Sequence, residues 1–345
     1  MRMKLTGKIF LWASVLLLVL WVLPWLYQLI SLKGYSSPFT LYSCTVHDFT
    51  ALNRDGGKEL RFLDRNGNPH GEEVQPTFYA SVLASKGTLP DTLEGRKVTL
   101  EEIERNSVIA TSDPKDVNRT KAPVYLLMES VPVRLELQDP EEALVSRRDG
   151  IYIYRLADNA LLQGKTDSLN TALRALDFAF PAKLFAGNPS HRKEYDEGWL
   201  VTDARDRVFQ IKQTAGVVSV RPFPATADLG VSFLLVTEFE NHATLAYMTG
   251  RDGFLYMLRP DGEVIRTEVP FDARREDLLV VGDLFYYTVK VSTGTGERFY
   301  ALRSEDFSLV DTMERAYPQG FSLPGIRFTS QDDSWVKLRL RGLRD

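Results

Sequence analysis

The densest run of chemically competent side chains occupies residues 186–198, AGNPSHRKEYDEG, where His191, Arg192, Lys193, Glu194, Tyr195, Asp196 and Glu197 follow one another directly. Read as a site, His191, Arg192, Lys193, Tyr195, Asp196 and Glu197 form a binding loop. Arg192 and Lys193 would hold an anion, and Asp196 or Glu197 would act as a base. Read as structure, the same residues form a polar Ω-like loop whose carboxylates bond backbone amides and whose cations pair locally. The sequence leaves both readings open.

The remaining candidates are sparse. His47, His70 and His242 stand at no metal-ligand spacing from one another or from the single cysteine, Cys44, so no metal site is expected. One cysteine closes no intrachain disulfide and builds no Cys-rich zinc site. There is no Gly-x-Ser-x-Gly elbow, no Walker A loop and no Gly-x-Gly-x-x-Gly after a strand, so no catalytic residue and no cofactor is assigned. With 46 Asp plus Glu, a pair of carboxylates can be matched to a hydrolase anywhere, and the match means nothing without geometry. Asn118-Arg-Thr120 fits a glycosylation acceptor, a pattern short enough to recur by chance. The motifs point away from an enzyme.

A repeat supplies the elements that would position these residues. Phe209-Gln-Ile-Lys212, Tyr256-Met-Leu-Arg259 and Tyr300-Ala-Leu-Arg303 share an aromatic-x-aliphatic-basic pattern at spacings of about 47 and 44 residues. A turn precedes each: Asp206-Arg207, Asp252-Gly253 and Gly294-Thr295-Gly296. Pro260-Asp-Gly262 separates the second copy from another alternating strand over 263–269. Tyr152-Ile-Tyr-Arg155 and the closing run 335–340 are weaker copies. A period near 45 residues built from short antiparallel strands predicts propeller-like blades. An antiparallel meander or sandwich with look-alike hairpins is the competing arrangement. Residues 167–177 interrupt the pattern with an amphipathic helix bearing Leu169, Leu173 and Leu176 on one face.

Residues 41–118 read as a mixed α+β segment. Strand-like runs at 43–52 and 59–63 flank the turn Asn53-Arg-Asp-Gly-Gly57, and Asn66-Gly67-Asn68 marks the next turn. A short helix is expected over 75–86, ended by Gly87. Thr99 with Glu102 predicts a capped helix at 100–106. Residues 119–345 carry the blade-like β domain, and 33–40 read as a stalk.

Residues 9–32 contain no charge and lie between Lys8 and Lys33. As a helix this run extends ~36 Å, enough for a hydrocarbon core of roughly 30 Å. Arg2, Lys4 and Lys8 precede it, so the positive-inside rule keeps residues 1–8 cytoplasmic and exports the rest. The run is longer than a signal-peptide core and lacks a small-x-small ending, so an uncleaved, single-pass anchor in the bilayer is expected. Trp21 and Trp25 share a helical face that either meets lipid or packs on a partner helix. Residues 1–33 hold four cations and no acid, leaving 38 bases against 46 acids beyond them. A balance of about −8 disfavours nucleic acid and anionic lipid as partners.

The stretch Asp177-Phe-Ala-Phe-Pro-Ala-Lys183, with Ala186-Gly-Asn-Pro189, Lys193, Tyr195-Asp-Glu-Gly198 and Phe209-Gln-Ile-Lys212, resembles an uncharacterised family of anchored envelope proteins from Bacteroidetes-type bacteria, domain-of-unknown-function family 4857. Glu59-Leu-Arg-Phe62, Asp64-Arg-Asn-Gly67 and Leu89-Pro-Asp91 are similar to its N-terminal pattern. The resemblance covers roughly 45–345 and carries no established catalytic residues. It implies a Gram-negative inner membrane, a periplasmic ectodomain and genes that accompany ABC-transporter subunits. The resulting expectation is a mainly β protein: a transmembrane helix, then a propeller-like antiparallel domain with short helical insertions. It would serve as a non-catalytic accessory or binding partner of an ABC-type permease and ATPase. A periplasmic hydrolase of glycan or peptide is the first alternative. A protein-binding scaffold or sensor, marked by an exposed sheet edge or apolar patch, is the second.

Overall fold

Strands that are apolar on both faces need cover on each, and five antiparallel sheets packed in series supply it. The computed structural model describes residues 5–31, 37–53, 61–120, 122–130, 139–193, 195–317, 325–328 and 338–341. Residues 38–293 and 297–314 make one compact unit. Sheet I contains Thr40–Ser43, Asp48–Asn53, Arg61–Leu63 and Pro69–His70, and sheet II contains Val124–Leu127, Glu142–Ser146 and Ile151–Arg155. Sheet III contains Phe185–Gly187, Trp199–Thr202, Val208–Thr214 and Val217–Pro222. Sheet IV contains Phe233–Val236, Ala246–Thr249, Phe254–Leu258 and Val264–Pro270. Sheet V contains Asp277–Gly282, Tyr286–Ser292, Gly296–Arg303 and Leu309–Ala316, with Val108–Ser112 added beside its first strand. Apart from that added strand, each is a simple meander.

The three copies of the aromatic-x-aliphatic-basic pattern and the weaker copy Tyr152-Ile-Tyr-Arg155 fall in the third strand of sheets III, IV, V and II respectively. That position explains the composition. In sheet IV, Tyr256 and Leu258 enter a core shared with Leu200 and Val208 of sheet III. Leu255 and Met257, one residue out of phase, enter a core shared with Val280, Val289 and Leu302 of sheet V. Alternation thus sends successive side chains to opposite neighbours, and both faces of the strand read as apolar. The same division continues on either side. Sheets II and III share a core of Leu144, Ile153, Val201 and Phe209, and sheets V and I share one of Phe299, Tyr286, Tyr42 and Phe49. At roughly 1.5–3 kcal/mol for each large side chain buried, these inter-sheet cores dominate the fold.

The order of packing is therefore II, III, IV, V, I, and the arrangement is propeller-like without being a closed propeller. Among the described residues, no core cluster joins sheet I to sheet II.

Local signals explain the helical insertions. Helix Leu100–Arg105 starts at Thr99, whose hydroxyl accepts the Glu102 N–H at 3.2 Å. The helix expected over 75–86 is confined to Ala80–Ser85, after a 3₁₀ turn at Glu72–Val74. Helix Gln163–Ala175 begins four residues before the apolar pattern predicts and buries Leu169 and Leu173. It takes the place of a fourth strand in sheet II. Asn170 accepts the Ile151 N–H at 3.0 Å and donates to the Ile151 carbonyl at 2.8 Å, while the Thr166 hydroxyl accepts the Ile153 N–H at 3.0 Å. Two side chains thus imitate the missing ladder. The pairing of Asp48–Asn53 with Arg61–Leu63 realises the expected hairpin, whose turn at 54–57 lies outside the described residues.

The second unit comprises 1–37, 294–296 and 315–345. It contains helix Leu5–Ser31 and a two-stranded ribbon of Gly325–Phe328 with Leu338–Arg341. The ribbon holds the described part of the closing run; residues 335–337 lie outside it. Among the described residues no helix is long and apolar enough to cross a membrane, so the transmembrane helix expected over 9–32 is not shown by them. Side chains are described without interruption only from Leu5 to Leu20, all exposed, whereas a span takes about 20 apolar residues. Trp21 and Trp25 fall outside the described side chains.

Replacing Asn170 with Ala strands the buried Ile151 N–H and carbonyl. The substitution is expected to lower stability by about 1–3 kcal/mol, read as a reduced urea midpoint with unchanged slope.

Candidate functional site

The polar loop joins the first two strands of sheet III, and its charges turn inward. Lys193 Nζ lies 2.6 Å from Asp196 Oδ1 and 2.6 Å from Glu238 Oε1, and it donates to the Asn188 carbonyl at 2.5 Å. The three side chains are only 3–5% exposed. Asp196 Oδ2 accepts the Ser130 hydroxyl at 2.6 Å and the Gly198 N–H at 3.0 Å. Glu238 accepts the Glu197 N–H at 2.8 Å and the Asn188 amide at 3.1 Å. Burial pushes the Glu238 carboxyl up. The Glu197 N–H and the Lys193 ammonium oppose that rise, and the Asp196 charge adds to it. One ammonium therefore serves two desolvated carboxylates, and the cluster ties together the segment after the first strand of sheet II, the loop of sheet III and the first hairpin of sheet IV.

The other loop residues separate. Glu197 Oε2 accepts from Gln210 at 2.8 Å and Lys212 at 3.3 Å. The Tyr195 hydroxyl donates to the Phe239 carbonyl at 2.9 Å, and its ring packs on His242 with centroids 4.1 Å apart. His191 is exposed beside Asp139 at 3.0 Å, and Arg192 is exposed with its N–H on Ser190 Oγ at 3.2 Å. Neither joins the buried cluster, and Glu194 lies outside the described residues. His70 pairs with Asp64 at 3.2 Å and His47 lies 3.5 Å from Glu94. No group of three metal-binding side chains occurs among the described residues. Cys44 is buried beneath sheet I, and desolvation, with the nearby Asp283 and Glu94 charges, pushes its thiol up to about 12. That thiol cannot act as a nucleophile at neutral pH.

A second locus, absent from the sequence reading, lies where the loops of sheet IV meet the edge of sheet V. A cleft of ≈ 600 Å³ is lined by Ser232, Phe233, Thr249, Arg251, Phe271, Asp272, Arg274, Glu276 and Arg298, among others. Phe233 and Phe271 are buried, edge to face, with centroids 5.6 Å apart. Arg298 is held by Glu276 at 2.5 Å. Gly230 has φ +62°, and a Cβ there would come within 3.0 Å of the Arg251 guanidinium, so glycine lets that side chain lie across the backbone. The cleft was invisible in the sequence because its arginines come from separate segments, the turns Arg251-Asp-Gly253 and Asp272-Ala-Arg-Arg-Glu276 and the strand that holds Arg298. The usable signal is that one turn precedes the repeat strand of sheet IV and the other follows the last strand of that sheet.

These sheets and loops define a mainly β, antiparallel, propeller-like protein. Residues 39–302 match the family described as "Domain of unknown function (DUF4857)", and the chain belongs to that family. No curated protein matches the sequence. Among solved structures, a Dos1 propeller shares 8% identity with a TM-score of 0.29, covering 51% of this chain and 45% of that one. PorZ of the type-IX secretion system of Porphyromonas gingivalis shares 11% at TM-score 0.22, with coverage of 87% and 36%. The dihydro-heme d1 dehydrogenase NirN shares 11% at TM-score 0.26, with coverage of 73% and 61%. The chain thus spans less than two thirds of the length of each.

Replacing Lys193 with Met removes the one cation that, among the described residues, pairs with these two buried carboxylates, and is expected to cost about 3–5 kcal/mol at neutral pH. The Glu238 carboxyl already lies above its ordinary value of 4.5. Its contribution to stability is therefore greatest below that pH and declines as pH rises through the folded value. Denaturation of the variant against pH should show a deficit that narrows below pH 4.5 and widens above it.

Proposed function

We propose that this protein is a non-catalytic binding or accessory protein of the cell envelope, anchored in the inner membrane and working beside an ABC-type permease and ATPase. The observation that carries the non-catalytic part is the fate of the densest polar loop. Lys193, Asp196 and Glu197 are committed to internal partners, which leaves the described residues of that loop no acid and base facing a common space. A glycan or peptide hydrolase would need its carboxylates open to substrate, whereas Asp196 and Glu238 are closed off. The cleft between sheets IV and V, with an aromatic floor and polar rim, has the character of a binding site. Anchoring rests on the uncharged run 9–32 between Lys8 and Lys33. In this reading residues 1–8 are cytoplasmic and the bulk of the chain is periplasmic. The transporter partner rests on the family resemblance.

One feature favours the scaffold reading. Val108–Ser112 is an end strand of sheet V and carries Ile109 59% exposed, an edge on which a partner's strand could extend the ladder.

The test is affinity capture of the full-length chain from gently solubilised native membranes, beside a version whose residues 9–32 are replaced by an unrelated span. Stoichiometric recovery of an ATPase and its permease is expected, with loss on Trp21→Leu/Trp25→Leu if that face docks. Recovery of the chain alone would remove the transporter reading.

A further inference from the structure

We infer that the cleft between sheets IV and V grips an anionic group, carboxylate or phosphate, carried on a small ligand with an apolar body. The inference deepens the binding-protein reading and rests on it only for the cleft being a binding site. The charges within the cleft are unequally committed. Glu276 takes Arg298 at 2.5 Å through Oε1 and the Asp272 N–H at 2.8 Å through Oε2. Asp272 accepts the Arg274 N–H at 3.0 Å and lies 3.6 Å from the Arg275 guanidinium, which points away into solvent at 85% exposure. Both lining acids are thus engaged. Among the described residues, no carboxylate lies within 4.0 Å of the Arg251 or Arg274 guanidinium.

Two uncommitted guanidinium groups on one concavity supply planar, forked donors that match a carboxylate or phosphate. Their backbones are fixed. The Arg251 N–H donates to the Leu229 carbonyl at 2.8 Å, and the Asn118 amide donates to the Arg274 carbonyl at 2.8 Å. Gly230 leaves room for the Arg251 side chain to reach the cleft. Below the rim, Phe233, Phe271, Pro270 and Ala273 offer apolar contact, and the Ser232 and Thr249 hydroxyls, 3.1 Å apart, supply a single polar step. The volume suits a ligand of metabolite size. The chain beyond the anchor region is net acidic, so attraction for an anion comes from this local pair and not from the overall field.

The experiment is isothermal titration of the full-length, detergent-solubilised protein with four probes: inorganic phosphate, phenyl phosphate, phenylacetate and the neutral 2-phenylethanol. The aryl anions should bind, inorganic phosphate should bind more weakly, and the neutral probe should be at least about tenfold weaker than phenylacetate. Preference between phenyl phosphate and phenylacetate assigns the anion. Arg251→Ala and Arg274→Ala, both at exposed positions, should each weaken the anions about tenfold or more and leave the neutral probe unmoved. Arg275→Ala should bind as the parent does. Equal affinity for the neutral probe, no binding of any probe, or anion binding that survives both substitutions would overturn the inference. Anion binding without transporter recovery would retain the inference and remove the transporter reading, and the converse result would do the reverse.

Discussion

A short antiparallel sheet with apolar side chains on both faces is unstable alone, because water reaches one face whenever the other is covered. Every large feature of this chain follows from that requirement. Sheets II to V are laid down in sequence, and each neighbouring pair shares a core. Sheet I, the first made, closes on sheet V, the last. Helices enter where a strand is missing or a core needs a lid: Gln163–Ala175 beside sheet II, Ala80–Ser85 and Leu100–Arg105 over sheet I. With most strands devoted to covering each other, the connecting loops and the open edge at Val108–Ser112 remain free for recognition.

The two polar loci show how the same residue types take opposite roles in such a frame. Around Lys193, desolvation makes an unpaired charge intolerable, so three ionised groups and several backbone partners lock into one arrangement. The cluster then acts as a fastener between three successive sheets. At the cleft, solvent lowers the cost of an uncompensated guanidinium, and Arg251 and Arg274 stand open. Burial, more than residue identity, separates fastener from receptor.

Much of the strand architecture was legible because it has a period. Tyr256-Met-Leu-Arg259 and its copies announce third strands, since only a strand covered on both sides needs apolar residues in both phases. Thr99 and Glu102 announced their helix through a local bond. What sequence could not supply was contact across distance. The polar loop stood out by composition, yet its meaning depended on Glu238, 45 residues away from Lys193. Nor can a repeat reveal whether the first and last sheets of a series meet, because that depends on the angle accumulated at every interface. The cleft escaped notice because it is assembled from three separate turns, none of them unusual.

Cys44 gives the molecule a practical property. It is the chain's single cysteine, packed beneath sheet I with its thiol held protonated. A native thiol that reagents do not reach leaves the folded surface chemically silent towards maleimides and alkylating probes. Any cysteine placed by mutagenesis on an exposed turn would then be the sole reactive handle, without first deleting the natural one. Spin labels, fluorophores or crosslinkers could be carried on the wild-type core, and loop-to-loop distances could be measured while its packing stayed undisturbed.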